Sequence, residues 1–304
     1  MTILIATSVV RGSHQGESHG GVYLIDLENQ KVAQPIDWNT SDIDWQGRGW
    51  DRGLRGIAFD GERIFIAASD ELFVYNPEFE CIASYRNPFL KHCHEIVVFN
   101  RRLYITSTGF DSILGFDLDT NSFCWGLALM NDGLGYRAEP FDPNGLKGPL
   151  PRNELHINNI FCTEQGMFIS GLRAGHLLRF TGKELKPYVS LPAGTHNARP
   201  YKDGVLFNDT QANVVRYVTR DDQQYFKVPS YDTEELTHLD LDDSRVARQG
   251  FGRGLCEVSD GLLAAGSSPS TISLHDLNSL KTRETVTLTL DIRNAIHGLE
   301  RWPY

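Results

Sequence analysis

Cysteine is scarce and unpaired: five residues in 304 (81, 93, 124, 162 and 256), odd in number and widely spaced, with no paired motif. Reduced thiols in a cytoplasmic protein fit this pattern better than a disulfide framework. Basic residues are outnumbered, 29 Lys and Arg against 39 Asp and Glu, for a net charge of −10. Such a balance argues against nucleic acid or an anionic membrane surface as a partner. No apolar run approaches the length of a membrane span. The first seven residues are apolar, but they lack a basic leader and are too short for a signal peptide, so they read as a strand. Nothing reads as a long helix. Also missing are a Gly-rich phosphate loop, a His-Glu-x-x-His motif and a nucleophile elbow. Ser107, Ser170 and Ser267 therefore read as turn residues.

What the chain does have is a repeat. Six short apolar stretches open on Arg, His or Asn, at Arg55, His94, Asn158, His196, Arg253 and His297. In the first five, a second apolar stretch begins nine residues later, as Arg55-Gly-Ile-Ala-Phe leads to Ile64-Phe65-Ile66. The sixth finds its continuation at the N-terminus. Each unit holds four runs rich in Val, Ile, Leu, Phe and Tyr, in the first complete unit at 55–59, 63–68, 71–75 and 80–86. Asp60-Gly61, Glu164-Gln165-Gly166, Lys202-Asp203-Gly204 and Ser259-Asp260-Gly261 are tight polar turns between the first two runs. A shared cadence closes the third run: Leu24-Ile25-Asp26-Leu27, Gly115-Phe116-Asp117-Leu118 and Leu274-His275-Asp276-Leu277. Four-stranded units repeated around an axis make an all-β, six-bladed β-propeller, here one domain over 1–304. Runs at 2–9, 21–26 and 31–36 need a fourth from 295–302, so the N- and C-terminal strands pair and close the ring.

Long irregular segments are expected at 10–20, 37–53, 128–153 and 228–249, all on one face, where loops on a rigid scaffold carry function. The six strand starts should ring the channel mouth beneath them. Three consecutive blades contribute His94, the His156/Asn158 pair and His196, and the other three contribute Arg253, His297 and Arg55. Neutral imidazoles suit a divalent transition metal (Fe, Mn, Zn or Cu), and His94, His156 and His196 would leave positions open for substrate. Arg55 and Arg253 suit bidentate capture of a carboxylate or phosphate. His297 between them would stay neutral and serve as a general base. Asn158 and Asn197 are candidate substrate contacts. The alternative is a water-filled channel whose polar residues only satisfy strand ends.

Weaker candidates surround this set. His92 is a possible extra ligand. His14 and His19 read as loop surface; His176, His238 and His275 read as surface or strand residues. Glu154 or Asp209 could orient a ligand, though an Asp at a strand end more often caps a loop. Tyr136 and Tyr231 in the long loops could donate to an oxyanion.

His94-Glu-Ile, His156-Ile-Asn158, Thr195-His-Asn-Ala-Arg-Pro200 with Asp203-Gly, Gly250-Phe-Gly-Arg-Gly-Leu255 and Arg55-Gly-Ile-Ala together resemble an uncharacterised bacterial propeller-like family, domain-of-unknown-function family 4915. The likeness covers the strand starts and not the long loops, and Thr195 stands where family members usually have Pro. It implies the fold and brings no activity. Propeller precedents that this arrangement resembles are metal-and-histidine lyases, four-histidine iron oxygenases and lactonases with a central divalent ion. The expected function is a metal-dependent lyase or isomerase acting on a small carboxylate-bearing substrate. An iron or copper oxygenase, and a non-catalytic propeller binding a ligand or protein, are the alternatives.

Overall fold

The computed structural model describes residues 2–14, 16–39, 53–240 and 248–304. The remaining parts of the expected loops 10–20, 37–53 and 228–249, at residue 15, 40–52 and 241–247, lie outside the described residues. The strands form six antiparallel sheets, and the fold is a six-bladed β-propeller. Among the described residues, helix is confined to one 3₁₀ turn, Thr108–Phe110. The backbone divides into two compact units, Ile57–Phe207 and the pair of segments Met1–Gly56 and Asn208–Tyr304.

Closure follows the sequence expectation. The strand Asn294–Arg301 pairs with Ile3–Val10, which pairs with Gly21–Asp26 and then Lys31–Asp37. Ala6 faces Leu299 and Val9 faces Ala295, with the register shifting between Ala6 and Ser8. This bulge lets Thr7 Oγ1 accept a hydrogen bond from Gly298 N at 2.8 Å. Pairing the chain ends removes the open edge that either strand would otherwise present.

The turn chemistry is largely as read. Asp26 Oδ1 accepts from Glu28 N and Asn29 N, and Asp117 Oδ1 from Asp119 N and Thr120 N. Asp276 Oδ1 accepts from Asn278 N and Ser279 N, so the shared Asp starts each turn by bonding its own backbone. In the turn at 202–204 the left-handed residue is Lys202 (φ 49°), not the glycine. Asn100 and Arg101, both at positive φ, make the equivalent turn without any glycine.

Two expectations are corrected. The segment 128–153 is not wholly irregular: Tyr136–Phe141 pairs with Ser122–Asn131 as a fifth strand. Asn131 and Asp132 side chains accept from the backbone of Gly133, Leu134 and Gly135 and fold the connecting turn. Pro140 is tolerated because the strand lies at the sheet edge. Three first strands also begin later than read, at Ile57, Ile96 and Leu255. Arg55, His94 and Arg253 thus stand two residues ahead of the first strand residue, though Arg253 N still donates to Gly266 O at 2.9 Å.

Each unit has its own apolar core. In Ile57–Phe207, one cluster packs Phe65, Leu72, Leu103, Leu114 and Phe116, and another packs Ile113, Ile157, Ile169 and Leu178. In the other unit, Leu4, Ile25, Ala264, Ile272 and Ile296 pack together. Burying each large side chain of this kind is worth about 1.5–3 kcal/mol.

Candidate active site

Of the three histidines expected to hold a metal, all in the unit Ile57–Phe207, His94 lies near each of the other two. Ring centroids of His94 and His156 lie 5.5 Å apart, and those of His94 and His196 lie 6.4 Å apart. His94 and His196 are buried and His156 is half-buried. His94 precedes the strand Ile96–Phe99, His156 precedes Ile157–Thr163, and His196 lies in Thr195–Tyr201, so three sheets contribute one ring each.

Hydrogen bonds anchor every Nδ1. His94 Nδ1 lies 2.8 Å from His92 O and 2.9 Å from Thr108 Oγ1. Thr108 Oγ1 donates to Ile157 O at 2.5 Å. His156 Nδ1 lies 2.8 Å from Asn153 Oδ1, which also accepts from Arg173. Asn158 Nδ2 donates to Thr195 O at 3.0 Å and lies 3.1 Å from His196 Nδ1. Asn158 is buried, and its Oδ1 has no hydrogen-bond partner. Asn197 donates to Glu95 Oε1 at 2.8 Å, tying the residue after His196 to the one after His94.

The segment carrying His156 and Asn158 is held by a residue that sequence reading missed. Asp111 follows the 3₁₀ turn, is buried, and adopts a left-handed backbone (φ 44°). Its Oδ2 accepts from Glu154 N at 2.6 Å and Leu155 N at 3.0 Å, and its Oδ1 from Ile157 N at 3.2 Å. That grip sustains His156 at φ 52°, a conformation costing roughly 1–2 kcal/mol for a residue with a Cβ. The only sequence signal was an Asp after Thr108-Gly-Phe110, which reads equally well as an ordinary turn residue.

The remaining predicted residues belong to the other unit. Arg253 Nη1 donates to His297 Nε2 at 2.6 Å, and its guanidinium lies 4.5 Å from the Phe251 ring centroid. His297 is buried, and the bond commits its Nε2 to Arg253 rather than to proton abstraction. Arg55 is fully buried, and its carbonyl accepts from Thr7 Oγ1. Gly266 makes room for this loop: a Cβ there would stand 2.5 Å from Arg253 O and 2.3 Å from Ile296 Cγ2.

Most secondary candidates are structural. His19, expected at the surface, is buried with Nδ1 against Ser13 Oγ. His275 is buried, stacks on Phe226 at 4.6 Å and bonds Thr282; burial lowers its pKa to about 4. Asp209 caps Gln211 and Ala212 and pairs with Arg216. Tyr136 OH is bonded to Ala174 O and His176, and Tyr231 OH to Thr271 and Thr287. Neither hydroxyl is presented to an oxyanion.

Among the described residues, no group of three or more His, Cys, Asp or Glu is arranged to hold a metal ion. The donor set explains this. Tetrahedral imidazole ligands at about 2 Å from a metal stand with ring centroids roughly 5 Å apart. The His94–His196 separation of 6.4 Å exceeds that. His196 Nδ1 is also engaged, lying 3.1 Å from the Asn158 amide nitrogen. As arranged, the three histidines do not fit one tetrahedral metal ion.

No family model and no curated protein matches the sequence. Among solved structures, the chain is similar to a protein of unknown function from Bacteroides caccae, with a TM-score of 0.62 at 8% identity, covering 100% of this chain and 99% of that one. It is similar to a chain of a nidogen/laminin complex, with a TM-score of 0.59 at 10% identity and coverage of 99% and 98%. It is also similar to the periplasmic gluconolactonase of Pseudomonas aeruginosa, with a TM-score of 0.57 at 12% identity and coverage of 99% and 98%. These likenesses define the class, a β-propeller, and at such identities they carry the fold alone.

Proposed function

We propose that the protein is an enzyme that moves a proton next to a carbonyl or carboxylate group of a small anionic substrate, by elimination or isomerisation. The observation that carries this reading is the gathering of His94, His156 and His196, each with Nδ1 anchored to a protein group. Anchored imidazoles are pre-oriented for general acid–base work. In this reading His94 takes the base role first expected of His297. The anionic character of the substrate rests on the sequence register, in which Arg55 and Arg253 hold blade positions equivalent to those of the histidines. That a solved neighbour is a gluconolactonase supports the fold as a host for enzymes.

The test is a screen of small mono- and dicarboxylates against the parent, His94→Ala and His196→Ala proteins after exhaustive chelation. Turnover by the parent that falls at least about a hundredfold in both variants supports the proposal. Undiminished turnover in either variant overturns it.

A second reading keeps the metal. The rings of His94 and His156 lie 5.5 Å apart, and each Nδ1 faces a carbonyl or amide oxygen, which leaves the lone pair on Nε2. Those two would hold a divalent transition ion, whose chemistry would be Lewis-acid polarisation of the substrate oxygen or, for iron or copper, oxidation. Stoichiometric metal by plasma mass spectrometry, lost in His94→Ala, with activity abolished by chelation, would favour it.

A further inference from the structure

We infer that Asn158 and Thr108 are positioning residues that set opposite tautomers on His196 and His94, so that the cluster offers a proton donor beside a proton acceptor. The inference rests on the cluster being the functional site, and it deepens that reading by saying which ring does what.

The tautomers follow from groups that can only accept or only donate. Thr195 O can only accept, so the Asn158 atom 3.0 Å from it is the amide nitrogen. The same nitrogen lies 3.1 Å from His196 Nδ1, and two donors cannot face one another, so Nδ1 carries the lone pair and Nε2 the proton. At His94 the logic runs the other way. His92 O, 2.8 Å from His94 Nδ1, can only accept, so Nδ1 carries the proton. Thr108 agrees: its single hydroxyl proton goes to Ile157 O at 2.5 Å, so its oxygen accepts from His94 Nδ1 at 2.9 Å. His94 Nε2 is therefore the basic nitrogen. Both fixing residues are buried, and Asn158 directly follows the Ile157 whose carbonyl receives the Thr108 proton. The two settings thus share one stretch of backbone.

The ring centroids of donor and acceptor lie 6.4 Å apart, and His196 Nε2 is buried. The ligand such a pair recognises has an oxygen acceptor next to a removable proton, as in a carboxylate or ketone with a hydrogen on the adjacent carbon. In that step the His94 Nε2 lone pair takes the proton, the pair of the broken C–H bond becomes the C=C bond of an enolate, and the C=O π pair moves onto oxygen. His196 Nε2–H hydrogen-bonds the oxygen on which charge develops. Asn158 is also what denies His196 to a metal, since a side chain that accepted from Nδ1–H would return the lone pair to Nε2.

The experiment is long-range ¹H–¹⁵N NMR of the full chain labelled in histidine, at neutral pH, with His94→Gln and His196→Gln used for assignment. The expected result is Nδ1–H for His94 and Nε2–H for His196 in the parent. In Asn158→Ala, His196 loses its fixed tautomer while His94 keeps its own; in Thr108→Val, His94 alone shifts. Asn158→Asp reverses His196 and raises Co²⁺ or Zn²⁺ affinity by about tenfold or more. The same tautomer on both rings of the parent, or a His196 spectrum unmoved in Asn158→Ala and Asn158→Asp, overturns the inference. Because the spectra need no substrate, these results stand apart from the turnover screen, whose failure would remove the enzymatic reading alone.

Discussion

Replacing Asp111 by Asn is expected to destabilise the protein by about 3 kcal/mol, although it adds no volume and tolerates the same left-handed backbone. The carboxylate accepts from Glu154 N and Leu155 N on one oxygen and from Ile157 N on the other. An amide keeps one oxygen. Its better orientation leaves that oxygen on the first two donors and turns its NH₂ toward Ile157 N. One charge-assisted bond, worth roughly 1.5–3 kcal/mol, is then lost, and the other two are weakened to neutral bonds. Asp111→Ala orphans all three donors and is expected to cost more, about 4–6 kcal/mol, a large part of a typical total stability. Urea unfolding followed by fluorescence would show a lower midpoint with an unchanged slope. The His156 resonances should move more than those of His94. A midpoint change equivalent to less than about 0.5 kcal/mol for the Ala variant would refute the claim that Asp111 organises this segment.

Other consequences follow from single residues. His275, held near a pKa of about 4 by burial against an ordinary 6.5, favours its neutral form in the folded protein. Its contribution is therefore complete above pH 6.5 and is lost as pH falls toward 4, by about 3 kcal/mol in all. His275→Phe, which keeps the stack on Phe226, should flatten the acid limb of a stability–pH profile; an unchanged limb would contradict this. Gly266→Ala would drive a Cβ against Arg253 O and Ile296, so its melting temperature should fall by several degrees, whereas an unchanged value would mean the loop yields freely. Cys162 is buried and its thiol is pushed up to about 12, while Cys81 and Cys124 are exposed. A disulfide reagent should therefore reach Cys81 and Cys124 in the folded protein and Cys162 only on unfolding, as peptide mapping would show.

The propeller was legible because its signals repeat. Alternating apolar runs, the Asp turn and the nine-residue offset recur in unit after unit, and chain closure follows from counting runs. The closeness of His94 and His196 follows the same repeat, since both hold the strand-start position of their blades, whereas His156 lies two residues ahead of the equivalent Asn158. Local departures from the repeat were not legible. The strand at 136–141 hides in a polar segment because its edge position lets Arg137, Glu139 and Pro140 stand exposed. The roles of Asp111, Thr108 and Asn158 depend on bonds across 46, 49 and 38 positions, respectively, which no local pattern records. The three-histidine metal expectation rested on residue type and blade register. Ligation depends also on which ring nitrogen holds the proton, and that is decided by neighbours the sequence does not bring side by side.

The central claim, that this cluster moves protons to and from carbon, is tested most directly by deuterium incorporation. Small carboxylates and keto acids would be incubated in D₂O with chelated parent protein and with His94→Ala, and the hydrogens next to the carboxyl or carbonyl group followed by ¹H NMR. The account predicts exchange at one such position with the parent and none above background with His94→Ala. Equal exchange with both proteins, or exchange that the parent shows only after a metal is restored, would contradict it.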